Sequence, residues 1–140
     1  MTLRSIHACL VSGAVLLAAG PALAQEPTER AAERLAQYEA TGETRNCIST
    51  SRIGSMVALD DNHFLVEVRG GDVLLNRVRG RCNQAASGFT RMEYRVSGTQ
   101  LCRNDIINIV DNSSGLWSGS CSLSDFEVLV PVDNDAGASR

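Results

Sequence analysis

The sequence predicts an all-β domain, a small five- to six-stranded meander barrel or sandwich with a short N-terminal helix, stapled by disulfides. Three observations carry that expectation. From Ile48 onward apolar and polar residues alternate with period two, the pattern of half-buried strands. Clusters of Gly, Asn, Asp, Ser and Thr interrupt the alternation at 60–62, 70–72, 97–99 and 112–115. Four cysteines, Cys47, Cys82, Cys102 and Cys121, are spread through the same stretch.

Residues 1–24 read as a cleaved secretory signal peptide. Arg4 gives a positive start, Ala8 to Ala19 carries no charge, Pro21 breaks the run, and Ala22-Leu23-Ala24 offers the small-x-small pattern of a cleavage site. A membrane anchor needs ~20 consecutive apolar residues, more than this run supplies, so no transmembrane segment is expected. Residues 25–44 form a polar lead-in with a short helix in it: Pro27 sits at its start, and Ala31, Ala32, Leu35 and Tyr38 make a thin apolar stripe.

The β domain spans 45–132. His63 to Arg69 places Phe64, Val66 and Val68 on one face and Leu65, Glu67 and Arg69 on the other, with Asp60-Asp61-Asn62 as the turn before it. Gly70-Gly71-Asp72 turns the chain into a second strand, Val73 to Val78, and the two make a hairpin. Thr90 to Val96 alternates again, with Met92, Tyr94 and Val96 inward and Arg91, Glu93 and Arg95 outward. Asp105 to Val110 is rich in β-branched residues. Phe126, Val128, Val130 and Val132 line one face of a last strand, whose far end Pro131 places at an edge. Residues 133–140 read as a disordered polar tail.

An even number of cysteines in an exported chain reads as two disulfides. Structural zinc sites bring ligands in close pairs, whereas these cysteines are separated by 34, 19 and 18 residues. Four cysteines allow three pairings. The expected one is nested, Cys47–Cys121 and Cys82–Cys102, which ties the ends of the domain together.

The order of these features resembles a family of small exported proteobacterial proteins catalogued as a domain of unknown function. It runs Cys47-Ile48, Asp60-Asp61 before an apolar strand, a Gly-Gly turn, Arg81-Cys82, Leu101-Cys102 with Asp105, then Cys121 with Leu123 and Phe126 behind it. The resemblance covers residues 45–130. The family's end motif is Cys-x-Leu-Gly-x-Phe, and here Ser124 stands at the glycine, followed by Asp125. The resemblance implies a Gram-negative envelope location, periplasmic or secreted, and paired cysteines. It carries no activity and transfers no functional residue.

Function classes narrow by exclusion. The chain has no lysine, which removes Schiff-base chemistry and a P-loop. No G-x-S-x-G elbow and no calcium-loop motif is present. Asp60-Asp61-Asn62 and Asp111-Asn112 read as turn chemistry, and Trp117 as a buried core residue. His63, the one histidine after residue 24, reads as an exposed or capped strand-start residue. No catalytic, cofactor-binding or metal-ligating residue is therefore assigned, and no cofactor is expected.

Charge is segregated along the chain. Residues 69–103 hold seven arginines against Asp72 and Glu93, and residues 104–140 hold six acids against one arginine. Arg77, Arg79, Arg91 and Arg95 are the candidate surface for an anionic partner, an envelope protein or an anionic glycan such as lipopolysaccharide, because the guanidinium fork pairs with carboxylate and phosphate. The competing reading pairs these arginines with the protein's own acids. Few aromatics and an acidic balance argue against nucleic acid. The expectation is a monomeric, non-enzymatic binding or structural module of the envelope. The alternatives are an inhibitor of a secreted enzyme acting through a turn, or a small metal-dependent hydrolase that would need Asp60, Asp61, His63 and Asp105 to converge.

Overall fold

Alternation sorts side chains to two faces of a strand, and here both faces of the central sheet find cover. A computed structural model describes residues 26–132 of the chain; the expected signal peptide, 1–24, and the expected polar tail, 133–140, lie outside the described residues. The elements are a helix α1 (Glu29–Leu35) and strands β1 (Tyr38–Arg45), β2 (Cys47–Ser49), β3 (Ile53–Ala58), β4 (His63–Val68), β5 (Val73–Arg77), β6 (Thr90–Tyr94), β7 (Gln100–Cys102), β8 (Ile106–Asp111), β9 (Trp117–Ser122) and β10 (Phe126–Pro131). All pairings are antiparallel, in a five-stranded sheet β1-β10-β5-β4-β3, a three-stranded sheet β6-β8-β9 and a two-stranded ribbon β2-β7.

The fold is all-β with one short helix and two disulfides, as the sequence predicts, but the sheets do not close into a barrel. More strands form than the alternation reveals. The polar stretch after the helix pairs as β1, with its outer residues exposed, and the short β7 and the serine-rich β9 carry little apolar signal.

The predicted hairpin is β4–β5, paired from His63↔Arg77 to Glu67↔Val73. Gly70 and Gly71 turn it at φ of 112° and 102°, a region that side chains with a Cβ rarely enter. One face of this hairpin sends Phe64, Val66, Val68 and Leu74 into the main core, where Phe126 and Val128 of β10, Ile107 and Ile109 of β8, and Ile48 and Leu101 of the ribbon meet them. The other face sends Leu65, Leu75 and Leu129 into a second, smaller cluster packed by Leu35 of α1 and Tyr38. Val130, expected inward, is exposed: it lies beyond the stretch Phe126–Leu129 over which β10 pairs with β5. Pro131 pairs with Tyr38 alone, so its end of the strand is an edge on the β5 side.

Helix α1 has seven residues, too few to persist alone. Thr28 caps it by accepting the Ala31 N–H, Glu29 sits in its first turn and Arg34 in its last, both favourable to the helix dipole. Tertiary contacts hold the rest: Ala31 is fully buried and Leu35 packs on the second cluster.

The expected nested disulfides are not the ones that form. Cys47 bonds Cys102 and Cys82 bonds Cys121. The register explains the correction: Cys47 lies directly opposite Cys102 in the β2–β7 ribbon. Cys82 follows the bridge that joins Arg79 to Ser122, which carries it to Cys121 of β9. Loops of 55 and 39 residues are closed, which in the chain-entropy model is about 4 kcal/mol each.

Asn76 is a fully buried amide on β5. Its Nδ2 donates to the Ser124 carbonyl at 2.7 Å and its Oδ1 accepts the Ser124 N–H at 3.0 Å, so it pins the loop between β9 and β10.

Two outcomes are expected. Dithiothreitol should lower the melting temperature by more than about 10 °C in circular-dichroism melts, and an unchanged curve would show that the bridges do not support the fold. Asn76→Ala should cost about 2–3 kcal/mol in urea titration, because it leaves the Ser124 N–H and C=O unpaired.

Candidate functional site

Among the described residues, Asp60 and His63 are the one pair of ionisable side chains buried together. The turn before β4 wraps the Asp60 carboxylate: Oδ1 accepts the N–H of Asn62 and of His63, each at 2.8 Å. Oδ2 accepts the Thr28 N–H at 3.0 Å, from the residue that caps α1. His63 Nδ1 lies 2.9 and 3.0 Å from the two oxygens. Asp60 is 7% exposed and His63 2%, so of the two readings of the histidine, exposed or capped, the capped one holds.

Burial alone would push the Asp60 pKa up. The hydrogen bonds from Thr28 and Asn62 and the contact with His63 outweigh it, and the carboxyl sits below its ordinary value. The turn reading of Asp60-Asp61-Asn62 therefore holds, with an added duty: the same carboxylate fastens α1 to the sheet. Asp61 turns outward to Arg81 Nε at 2.9 Å, and Asn62 Nδ2 donates to the Gly80 carbonyl at 2.7 Å. Asp105 does not join them; it accepts the Cys102 N–H at 2.7 Å in a separate turn. Among the described residues no group of three His, Cys, Asp or Glu side chains is placed to hold a metal ion. No hydroxyl or thiol among the described residues hydrogen-bonds His63.

Asp111 behaves as the sequence suggests. Its Oδ1 accepts the N–H and the hydroxyl of both Ser113 and Ser114, which lowers its pKa to about 2. The loop 112–115 is thereby set in one shape.

The four candidate arginines are divided between the sheets. Arg77, on β5, pairs with Glu127. Arg79 donates to Asn104 Oδ1 at 2.8 Å. Arg91, on β6, pairs with Glu93 at 2.8 Å. Arg95, just past β6, has no ion-pair or hydrogen-bond partner among the described residues. Pairing with the protein's own acids thus accounts for Arg77 and Arg91 and leaves Arg95 free.

A feature that the sequence hides lies on the outer face of β6-β8-β9. Trp117 is not buried; it is 72% exposed, beside Leu116 at 69% and near Phe89 at 79%, with Ile106 at 50% on the same sheet. The ladder is irregular between Ile109 and Val110, and Val110 takes the buried position while Trp117, its partner, stays outside. Of the six exposed large apolar side chains among the described residues, these are four; only Val57 and Val130 lie elsewhere. Arg95, Glu93, Asn108 and Trp117 surround a shallow cavity of 350 Å³ on this face. Alternation identifies the outward positions of β6, but nothing local marks Trp117 as outward.

Comparison with protein-family models, with curated proteins and with solved structures finds no match to this chain.

The Asp60 clamp has a pH signature. Its depressed pKa means that its contribution to stability is present above the ordinary value of 3.8 and is lost as pH falls through the lower folded value. Asp60→Ala should cost about 2–3 kcal/mol at neutral pH, the scale of hydrogen bonds to a charged acceptor. That difference should shrink in acid. Urea titrations of both proteins across the acid range measure it, and a difference that stays constant with pH would refute the clamp.

Proposed function

We propose that this protein is a non-enzymatic binding module of the cell envelope whose outer β6-β8-β9 face docks an acid-bearing protein. The observation that carries the reading is the exposed Trp117 sharing a cavity with Arg95, which has no ion-pair or hydrogen-bond partner among the described residues, with Ile106 exposed at the other end of the same sheet and Phe89 and Leu116 exposed at its margins. Exposed apolar side chains gathered in one place mark interaction surfaces, and Trp and Arg are the residues on which protein interfaces most depend. The loop fixed by Asp111 adjoins Leu116, so part of the surface is already ordered, which lowers the entropic cost of docking.

An exported location is supported by two disulfides, which persist outside the reducing cytoplasm, and by the leader-like residues 1–24. No helix among the described residues is long and apolar enough to cross a membrane. The resemblance to small exported proteobacterial proteins points the same way. Asp60 and His63, the residues a hydrolase would need, are occupied with the turn and with α1, so the binding reading stands ahead of the enzymatic one.

The test is a crosslinking pull-down from native envelope extract read by mass spectrometry, using the parent protein, a Trp117→Ser/Arg95→Ser variant and an Arg77→Ser control. One dominant protein should be captured by the parent and the control, and its yield should drop at least about tenfold with the double variant, the scale of a lost interface hot spot. The melting temperature should be unchanged, because both side chains are exposed. Capture of glycan or lipopolysaccharide instead of protein, or capture that survives the double substitution, would overturn the reading.

A further inference from the structure

The sheets do not close into a barrel, and one of the gaps lies between β3 and β6. Strand β3 is the last strand of the five-stranded sheet and pairs only with β4; strand β6 is the last of the three-stranded sheet and pairs only with β8. Between these two edges runs a groove of 490 Å³ lined from both sides, within the range of about 300–1,000 Å³ usual for ligand sites.

The ladder registers show which main-chain groups face it. In an antiparallel pair, alternate residues turn their N–H and C=O toward the partner. The Leu59 N–H donates to the His63 carbonyl, so with the register Val57↔Leu65 and Ser55↔Glu67 it is Met56 and Ala58 that turn away from β4. Across the groove the Asn112 N–H donates to the Phe89 carbonyl. Continued along the register Arg91↔Val110 and Glu93↔Asn108, that leaves Met92 and Tyr94 turned away from β8. None of these four has another main-chain partner among the described residues.

The side chains suit the same occupant. Ile53, Met56, Ala85, Met92 and Tyr94 are half-buried and rest on the main core, so the groove floor is apolar, and methionine adapts its shape to what it meets. Arg91 is the only charged residue in the lining, and it is paired with Glu93 of its own strand. Edge strands are commonly blunted by charge, proline or a covering loop; β3 carries neither a charge nor a proline.

We propose that the seam binds an extended polypeptide strand, added by main-chain hydrogen bonds to the free edge of β3. Its apolar side chains rest on Met92 and Tyr94. A lipid or a sugar offers no repeating row of N–H and C=O groups to match such an edge, whereas strand addition is an established mode of peptide recognition. The proposal does not depend on the outer-face reading: Trp117 and Arg95 do not line the seam, although Met92 and Tyr94 border both.

The test is a selection of random octapeptides displayed against the full oxidised chain, followed by binding measurements on the enriched sequence. The expected winner alternates apolar residues. N-methylation of every second amide in one register should weaken it at least about tenfold, the scale of two lost main-chain hydrogen bonds, while methylation in the other register leaves it unchanged. Binding should survive Trp117→Ser/Arg95→Ser, which separates this site from the outer face. The methylation contrast resides in the peptide, so it is read even if a groove variant such as Ala85→Trp fails to fold. Absence of any enriched peptide, equal effects of both methylation patterns, loss of binding with the outer-face variant, or a dimer of this chain that occupies the β3 edge would each overturn the proposal.

Discussion

The two larger sheets touch through main-chain hydrogen bonds at a single isolated bridge, Arg79 to Ser122. Side-chain packing across one apolar layer and the Cys82–Cys121 bond beside that bridge add to it, together with polar links such as Asn76 to Ser124 and Arg79 to Asn104. A domain this small buries a limited core, and Phe64, Phe126, Leu74, Ile107 and Ile109 supply most of its fully enclosed bulk. The covalent links overlap along the chain: Cys82 lies inside the loop closed by Cys47–Cys102, and Cys102 lies inside the loop closed by Cys82–Cys121. Each crosslink therefore restricts the segment that the other spans. The nested arrangement would have left the inner loop free to move as a unit.

Polar groups inside the molecule are spent on position. Asn76 holds the approach to β10, and Asp60 gathers three main-chain N–H groups and the His63 ring at the junction of α1 with the sheet. An aspartate hydrogen-bonded to a buried histidine resembles part of a catalytic apparatus, yet every bond it makes serves the turn or the helix. The surface, by contrast, holds Arg95, with no partner among the described residues, and the aromatic rings of Phe89 and Trp117 facing water.

What could be read from the sequence follows from how local each feature is. The β4–β5 hairpin and β6 were legible because Phe64, Val66 and Val68, and Met92 and Tyr94, alternate with polar residues along a single strand. Strand β1 was not, since Tyr38–Arg45 lies at the sheet margin with most of its side chains in water and has no apolar face to announce it. The cysteine pairing depends on the β2–β7 register, which joins residues 55 apart, and no local pattern encodes that. The exposure of Trp117 turns on an irregularity in the β8–β9 ladder, and the burial of His63 on a helix more than 25 positions upstream in the chain, whose cap donates to Asp60.

The pairing of β1 with β10 joins nearly the first described segment to the last, Tyr38 opposite Pro131. Contacts so distant in sequence are slow to form, since a long loop must close before any hydrogen bond rewards it. A chain delivered residue by residue cannot complete its central sheet until the final strand arrives, because β10 sits between β1 and β5. Until then β5 keeps an open flank and Leu75 lacks its neighbour Leu129. Assembly of this molecule is thus a terminal event, and its half-made forms are the ones most exposed to aggregation or to a chaperone.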